Sequence, residues 1–189
     1  MNDFFLASGR SISIDENNIH QFKMHNFDEW ASLAKPLKDL KKNKDYSNEI
    51  LNKYVEKNIA EVVGLIALAF KVSVDEFIQV KDANNLNLTE IVELIITVNS
   101  AYFDEKEQKQ RDDIDPRKKS SWFDSFQLLI SNGHSHTEIM QMTYGAFIEY
   151  IRAAQNAEKR KLSSLAGVFR AAQHANMKSF KKLIDDLKK

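Results

Sequence analysis

The chain has 189 residues, 43% of them hydrophobic and 29% charged, with a formal net charge of zero. This suits one ordinary domain or two small ones, and it supplies no overall field to steer the molecule toward nucleic acid or an anionic membrane. The absence of cysteine excludes a disulfide framework and thiolate chemistry, and fits a reducing cytoplasm. No run approaches the roughly 18 uninterrupted apolar residues of a membrane span. The start, MNDFFLASGR, lacks the pattern of a signal peptide, so none is expected.

Strand-like segments come first. Phe4-Phe5-Leu6 and Ile12-Ser13-Ile14 flank a Ser8-Gly9-Arg10 turn signal, and Asp15-Glu16-Asn17-Asn18 forms a second turn cluster. Phe22 and Met24 then stand at strand spacing within residues 19–24. The pattern predicts a small β-hairpin or three-strand meander, which must pack on helices to be stable.

Helix signals follow. Asn26 with Glu29 reads as a capping box ahead of Trp30, Leu33, Ala34 and Leu37, and Pro36 is expected to break or kink that helix. After a lysine-rich link at 38–44, one long helix is predicted from about Ser47 to Phe70. Ile50, Leu51, Tyr54, Val55, Ile59, Val62, Val63, Ile66, Ala67 and Phe70 recur there at three- and four-residue spacing. Its second half is apolar nearly all round and is placed at the centre of the core. Ser73-Val-Asp-Glu76 caps a short helix through Ile78. Asn87-Leu-Thr-Glu90 caps an apolar helix that ends in Tyr102 and Phe103.

Residues 104–121 read DEKEQKQRDDIDPRKKSS, with almost nothing to bury. Interleaved charges of both signs predict a solvated linker rather than a metal loop. Its 18 residues would allow roughly 20–25 Å of flexible reach. The expected organisation is therefore an α+β domain at 1–103, a charged linker at 104–121 and a helical extension at 122–189. Charge is polarised across it. Residues 1–103 carry 11 Lys/Arg and 15 Asp/Glu, a net of −4, whereas residues 122–189 carry 10 and 6, a net of +4. Opposite signs favour contact between the parts or between copies.

The extension reads as helical throughout. A helix from about Ser121 to Ser131 carries Trp122, Phe123, Phe126, Leu129 and Ile130, and Gly133 sits where a C′ glycine belongs. Ser135-His-Thr-Glu138 caps a short helix with Ile139 and Met142. From Thr143 onward there is no proline. Phe147, Ile151, Ala154, Leu162, Leu165, Phe169, Ala172, Phe180, Leu183 and Leu187 mark one apolar stripe. An unbroken helix of about 44 residues would span roughly 65 Å, so a bend near residues 163–167, a stacked partner or a projection is expected. The fold class is mainly α with a small N-terminal hairpin or meander, closed by a long terminal helix.

Residues suited to catalysis do not assemble. His134 and His136 form an H-x-H pair without an evident third ligand. No H-E-x-x-H, G-x-S-x-G, P-loop or G-x-G-x-x-G pattern occurs, and the five glycines form no phosphate cradle. No catalytic, metal or cofactor residue is predicted, and the chain is expected not to be an enzyme. Arg152, Lys159, Arg160, Lys161, Arg170, Lys178, Lys181 and Lys182 make the last segment basic. Together with residues 135–151, which also fit a helix-turn-helix with Thr143-Tyr144-Gly145 in its turn, they leave a DNA-binding regulator as an alternative. Tyr102, Phe103, Trp122, Phe123 and Phe126 read either as core or as anchors flanking the linker.

Several of these segments together resemble a known family. They are Phe27-Asp-Glu-Trp-Ala-Ser-Leu-Ala-Lys-Pro-Leu37, the apolar helix at 61–71, Ser73-Val-Asp-Glu-Phe77, and residues 90–103 with their Val98-Asn99 followed by an aromatic ending. This part resembles the tail assembly chaperones of long-tailed bacteriophages. Gly133-His134, Glu138-Ile139, Thr143, Phe147, the basic helix and Lys178-Ser-Phe-Lys181 look like the C-terminal extension of the longer form of such chaperones. The resemblance implies a non-enzymatic protein of the host cytoplasm, absent from the mature virion. It would bind the tape measure protein, keep it soluble and recruit tail tube subunits, which displace it as the tube polymerises. In many such phages the extension is joined by translational frameshifting.

On this reading the residues expected to meet partners are Tyr102, Phe103, Trp122, Phe123, Phe147, Tyr150, Ile151, Arg152, Arg160, Phe169, Arg170 and Phe180. Self-association is expected from the apolar surface of the final helix, and neither a membrane nor a nucleic-acid partner is expected. A structural tail or head completion protein is a further alternative.

Overall fold

The computed structural model describes residues 11–14, 17–42, 47–84, 86–104, 121–174 and 176–187. The expected first strand at Phe4–Leu6, and nearly all of the charged run, lie outside them. The described residues are mainly helical and open with a two-stranded antiparallel hairpin. Strand β1 (Ser11–Ile14) pairs with β2 (Asn17–His20) in the register Ser11↔His20 to Ile14↔Asn17. The strand does not continue to Met24. The backbone instead turns into a 3-10 segment at Met24–Asn26, and residues 22–24 pair with a distant stretch described below.

Helix α1 (Phe27–Lys42) follows directly. The expected Asn26 cap does not form, since the Asn26 Oδ1 has no hydrogen-bond partner and Phe27 N–H donates to the Met24 carbonyl. Pro36 lies inside α1 without ending it. Proline removes one intrahelical bond, to the carbonyl four residues back. Here both Pro36 and Ser32 lie on the exposed face of α1. The opposite face carries Trp30, Ala34 and Leu37, all fully buried, and their burial outweighs the local penalty.

The single helix expected at 47–70 is two, α2 (Asn48–Lys57) and α3 (Ile59–Phe70). Asn58 parts them. Its backbone leaves the helical region at φ −123°, ψ 43°, and its side-chain amide donates to the Tyr54 carbonyl at 2.8 Å. This is the local side-chain competition that makes asparagine a helix terminator. Helix α3 is the hub, packing on α1, α2, α4 (Val74–Asn84), α5 (Leu88–Val98) and β2. It buries Val62, Leu65, Ile66, Ala67, Ala69 and Phe70. It ends in a Schellman motif, with Val72 N–H donating to Ala67 O and Lys71 N–H to Leu68 O. Lys71 occupies the left-handed position at φ 58°, where glycine is the usual occupant.

The predicted Ser73–Glu76 capping box closes with reciprocal bonds of 2.8 and 3.2 Å, but α4 runs on to Asn84 rather than stopping at Ile78. The Asn87 side chain accepts from Thr89 N–H, as a cap of α5 should. The helix expected to reach Phe103 breaks at Asn99, and α6 (Ser100–Phe103) resumes it. Asn99 is buried and tied twice. Its Oδ1 accepts from Phe22 N–H at 2.8 Å, and its Nδ2 donates to Ile95 O at 3.0 Å. It thereby satisfies a backbone donor on the chain leaving β2.

Helix α7 (Trp122–Ser131) starts at a Ser121–Asp124 capping box. It ends in a second Schellman motif, with Gly133 at φ 97° as predicted for a C′ glycine. The Ser135–Glu138 box opens α8 (His136–Gln141). Helix α9 (Tyr144–His174) is unbroken through residues 163–167, where a bend was one of three expected outcomes beside a stacked partner and a projection. One glycine costs a helix only about 1 kcal/mol. The break falls instead before α10 (Met177–Leu187), which Asn176 caps through its Oδ1 to Ser179 N–H at 3.0 Å.

Two compact units divide the chain, Met1–Tyr150 and Ile151–Lys189. The division thus falls inside α9 rather than at the charged run. Residues 121–150 belong with the N-terminal elements, because Met24 N–H donates to Met142 O at 2.9 Å and Tyr144 N–H to Phe22 O at 3.0 Å. Around this pairing the aromatic rings close. Trp30 is stacked on Phe22 at 5.0 Å and meets Phe27, Tyr102 and Tyr144 edge-on. The Trp30 indole N–H is satisfied by Lys23 O at 2.8 Å. The flanks of the charged run, Phe103 and Trp122, therefore sit in one unit and not in two tethered ones.

Candidate functional site

The residues expected to meet partners divide by burial. Tyr102, Phe103 and Phe147 are core. Tyr102 is wedged against Trp30, Phe103 and Tyr144 at 4.9–5.4 Å, with the Lys38 ammonium 4.1 Å above its ring. Phe147 is fully buried between Trp122 and Phe126. None of the three reaches a partner unless the unit opens. Trp122 is half-exposed, with one face on Phe27 at 4.7 Å. Phe123 is 68% exposed and shares a face of α7 with the exposed Ile130, seven residues on. Tyr150 is exposed and rests edge-on against His134 at 4.9 Å.

In the unit Ile151–Lys189, Ile151 is half-buried, whereas Arg152, Arg160, Phe169, Arg170 and Phe180 are exposed. Two residues of the predicted stripe that were not among the expected partner contacts, Leu162 and Leu165, are exposed as well. With Phe169, 73% exposed, they recur at i, i+3 and i+7 on one face of α9. Met177, 83% exposed, and Phe180 present apolar surface on α10 at the same spacing rule. Their signal in the sequence is the helical period. The period identifies a face but not whether anything covers it.

The first turn of α9 bears on the DNA-binding alternative. A recognition helix presents its N-terminal residues to base edges. Here Thr143 is bridged to Lys23, and Tyr144, Ala146 and Phe147 are buried, so that turn is occupied by the protein's own core.

A second feature lies wholly within the unit Met1–Tyr150. An open cleft of about 480 Å³ is walled by His20, Gln21, Lys23, Lys71, Glu138 and Gln141, among others. Lys23 Nζ donates to Gln141 Oε1 at 2.9 Å across it. Burial, and then the ammonium charges of Lys71 and Lys23, hold the His20 imidazole below its usual pKa. Glu138 is held below the usual carboxylate range by the Ser135 backbone N–H and hydroxyl, so it stays ionised. Gln21 is buried, its Nε2 donates to Val98 O at 3.3 Å, and its Oε1 has no partner. Sequence reasoning missed this cleft because its residues come from three separated segments, 20–23, 71 and 138–150. Among the described residues no group of three or more His, Asp or Glu is placed to hold a metal ion, and no helix is long and apolar enough to cross a membrane.

Comparisons of the chain with protein-family models, with curated proteins and with solved structures return no match.

Proposed function

We propose that this chain is a phage tail assembly chaperone that binds the tape measure protein through apolar helical surface, keeps it soluble and recruits tail tube subunits. The observation that carries this reading is the exposed stripe Leu162, Leu165 and Phe169 on α9. Three large apolar side chains in register on one helix face fit an amphipathic helical client laid along it. The exposed Lys159 and Lys161, which flank the stripe on the helix surface, give it a cationic border. The resemblance at 27–37, 61–77 and 90–103 supplies the client's identity. The role is non-enzymatic, and it places the protein in the host cytoplasm and outside the finished particle. The same stripe would associate copies of the chain before client arrives.

Co-expression with a tape measure fragment tests this directly. The client is expected to become soluble and to co-purify with the wild-type chain. A Leu162→Ser, Phe169→Ser double variant is expected to lose both effects. An insoluble client that never co-purifies with wild type overturns the reading, as does the chain's presence in purified virions.

A further inference from the structure

We propose that the cleft between the exit of β2, the Lys71 cap and α8 binds an acidic residue of a peptide, gripping its carboxylate with Lys23 and Lys71 and its amide N–H with Gln21. This site is separate from the apolar stripe on α9, and nothing in it depends on the chaperone reading.

Three observations converge on that ligand. The cleft, about 480 Å³, has the size of a pocket for one or two residues. Its cations exceed its anions. Lys23 and Lys71 are opposed in the wall by one carboxylate, Glu138, whose Oε2 accepts from Ser135 N–H at 2.7 Å and Ser135 Oγ at 2.9 Å. Lys71 makes no ion pair among the described residues and is held at the cleft by a left-handed cap that glycine would fill with less strain. Finally, Gln21 belongs to the wall and keeps a buried acceptor unpaired. Buried acceptors of this kind are normally satisfied. A bare anion would not satisfy it, whereas a ligand carrying both a carboxylate and an N–H would, with the Gln21 amide turning its enclosed Oε1 toward the cleft. The His20 imidazole is held below its usual pKa first by burial and then by the charges of Lys71 and Lys23, which places both ammonium groups near it.

The test is a titration of the full-length chain, followed by backbone amide NMR at low salt, with N-acetylglutamate, glutarate and inorganic phosphate in turn. N-acetylglutamate is expected to shift the amides of His20, Gln21, Lys71 and Thr143 saturably. Lys71→Gln and Lys23→Gln should each weaken it roughly tenfold, the scale of one charge-assisted hydrogen bond, and Lys53→Gln, at an exposed position of α2 outside the cleft, should not. Glutarate, lacking the N–H, should bind several-fold more weakly, and Gln21→Leu should remove that preference. No saturable shift at the cleft overturns the proposal. So does equal weakening by Lys53→Gln, or phosphate binding as tightly as N-acetylglutamate.

Discussion

Lys23 and Thr143, 120 positions apart, face each other across an antiparallel bridge whose flanking bonds run from Met24 N–H to Met142 O and from Tyr144 N–H to Phe22 O. This short pairing joins the end of the hairpin to the start of α9. A chain truncated after residue 121 would lose the buried Leu129, Ile139, Tyr144 and Phe147. Each large side chain buries about 1.5–3 kcal/mol of transfer free energy, and a whole domain is stable by only about 5–15 kcal/mol. The truncated chain is expected to lack a cooperative thermal transition. A transition at the full-length temperature would contradict the shared core.

Asn99 offers a sharper probe of the same region. Its replacement by alanine strands the Phe22 N–H, bonded at 2.8 Å in the native fold. An orphaned buried donor costs about 1–3 kcal/mol. Urea denaturation of Asn99→Ala should show a loss of that size with an unchanged m-value. A loss below about 0.5 kcal/mol, the scale of an ordinary surface change, would mean the side chain carries no structural burden.

The two Schellman caps make opposite predictions. Gly133 has φ 97° and nothing within 4 Å of where a Cβ would stand, so Gly133→Ala meets strain without a clash. It should destabilise by about 1 kcal/mol. Lys71→Gly relieves the same kind of strain at φ 58° and should be neutral or stabilising by up to about 1 kcal/mol. Thermal melts of the pair check this, and a shift in the same direction for both would refute it.

Acid should loosen two helix starts. Hydrogen bonds from Ser73 and Ser135 hold Glu76 and Glu138 below their usual pKa. A depressed folded pKa gives stability that is present above the unfolded value and lost as pH falls through the folded one. Melting temperatures should therefore decline below about pH 4.5. Glu76→Gln and Glu138→Gln should each flatten that decline. His20 acts in the same direction at higher pH. Its lowered pKa means the unfolded chain takes up the proton first, so stability should begin to fall as pH drops below about 6.5. His20→Asn should remove that step.

The α9 stripe predicts a separation of stability from binding. Leu162 and Phe169 are 59% and 73% exposed, so serine at both positions should change folding stability by no more than about 0.5 kcal/mol each. Self-association should fall with them. Light scattering should find wild type above the 21.8 kDa of one chain and the double variant at it. A wild-type chain that stays at monomer mass over a wide concentration range would remove the self-association claim.

What the sequence disclosed was local. The Ser73 and Ser135 boxes, the Asn87 cap and Gly133 each announce themselves within four residues, and all four form. What stayed hidden was either masked by a neighbour's signal or decided at long range. Asn58 breaks a helix whose apolar period continues in phase on both sides of it. Pro36 carries the signal of a break, yet the burial of Trp30 and Leu37 overrides it. Tyr102 and Trp122 look alike in sequence, each an aromatic beside the charged run. Only the pairing of residues 22–24 with 142–144 determines that one is enclosed and the other half-open.

That enclosure recasts the charged run as a place for engineering. Phe103 and Trp122 both sit in the unit Met1–Tyr150, so the sequence between them joins two points of one unit. Loop-closure entropy grows with the logarithm of length, and doubling a loop costs about 0.6 kcal/mol. A fluorescent or affinity tag spliced into the middle of this run should leave the melting temperature of the unit Met1–Tyr150 within a few degrees of the parent chain.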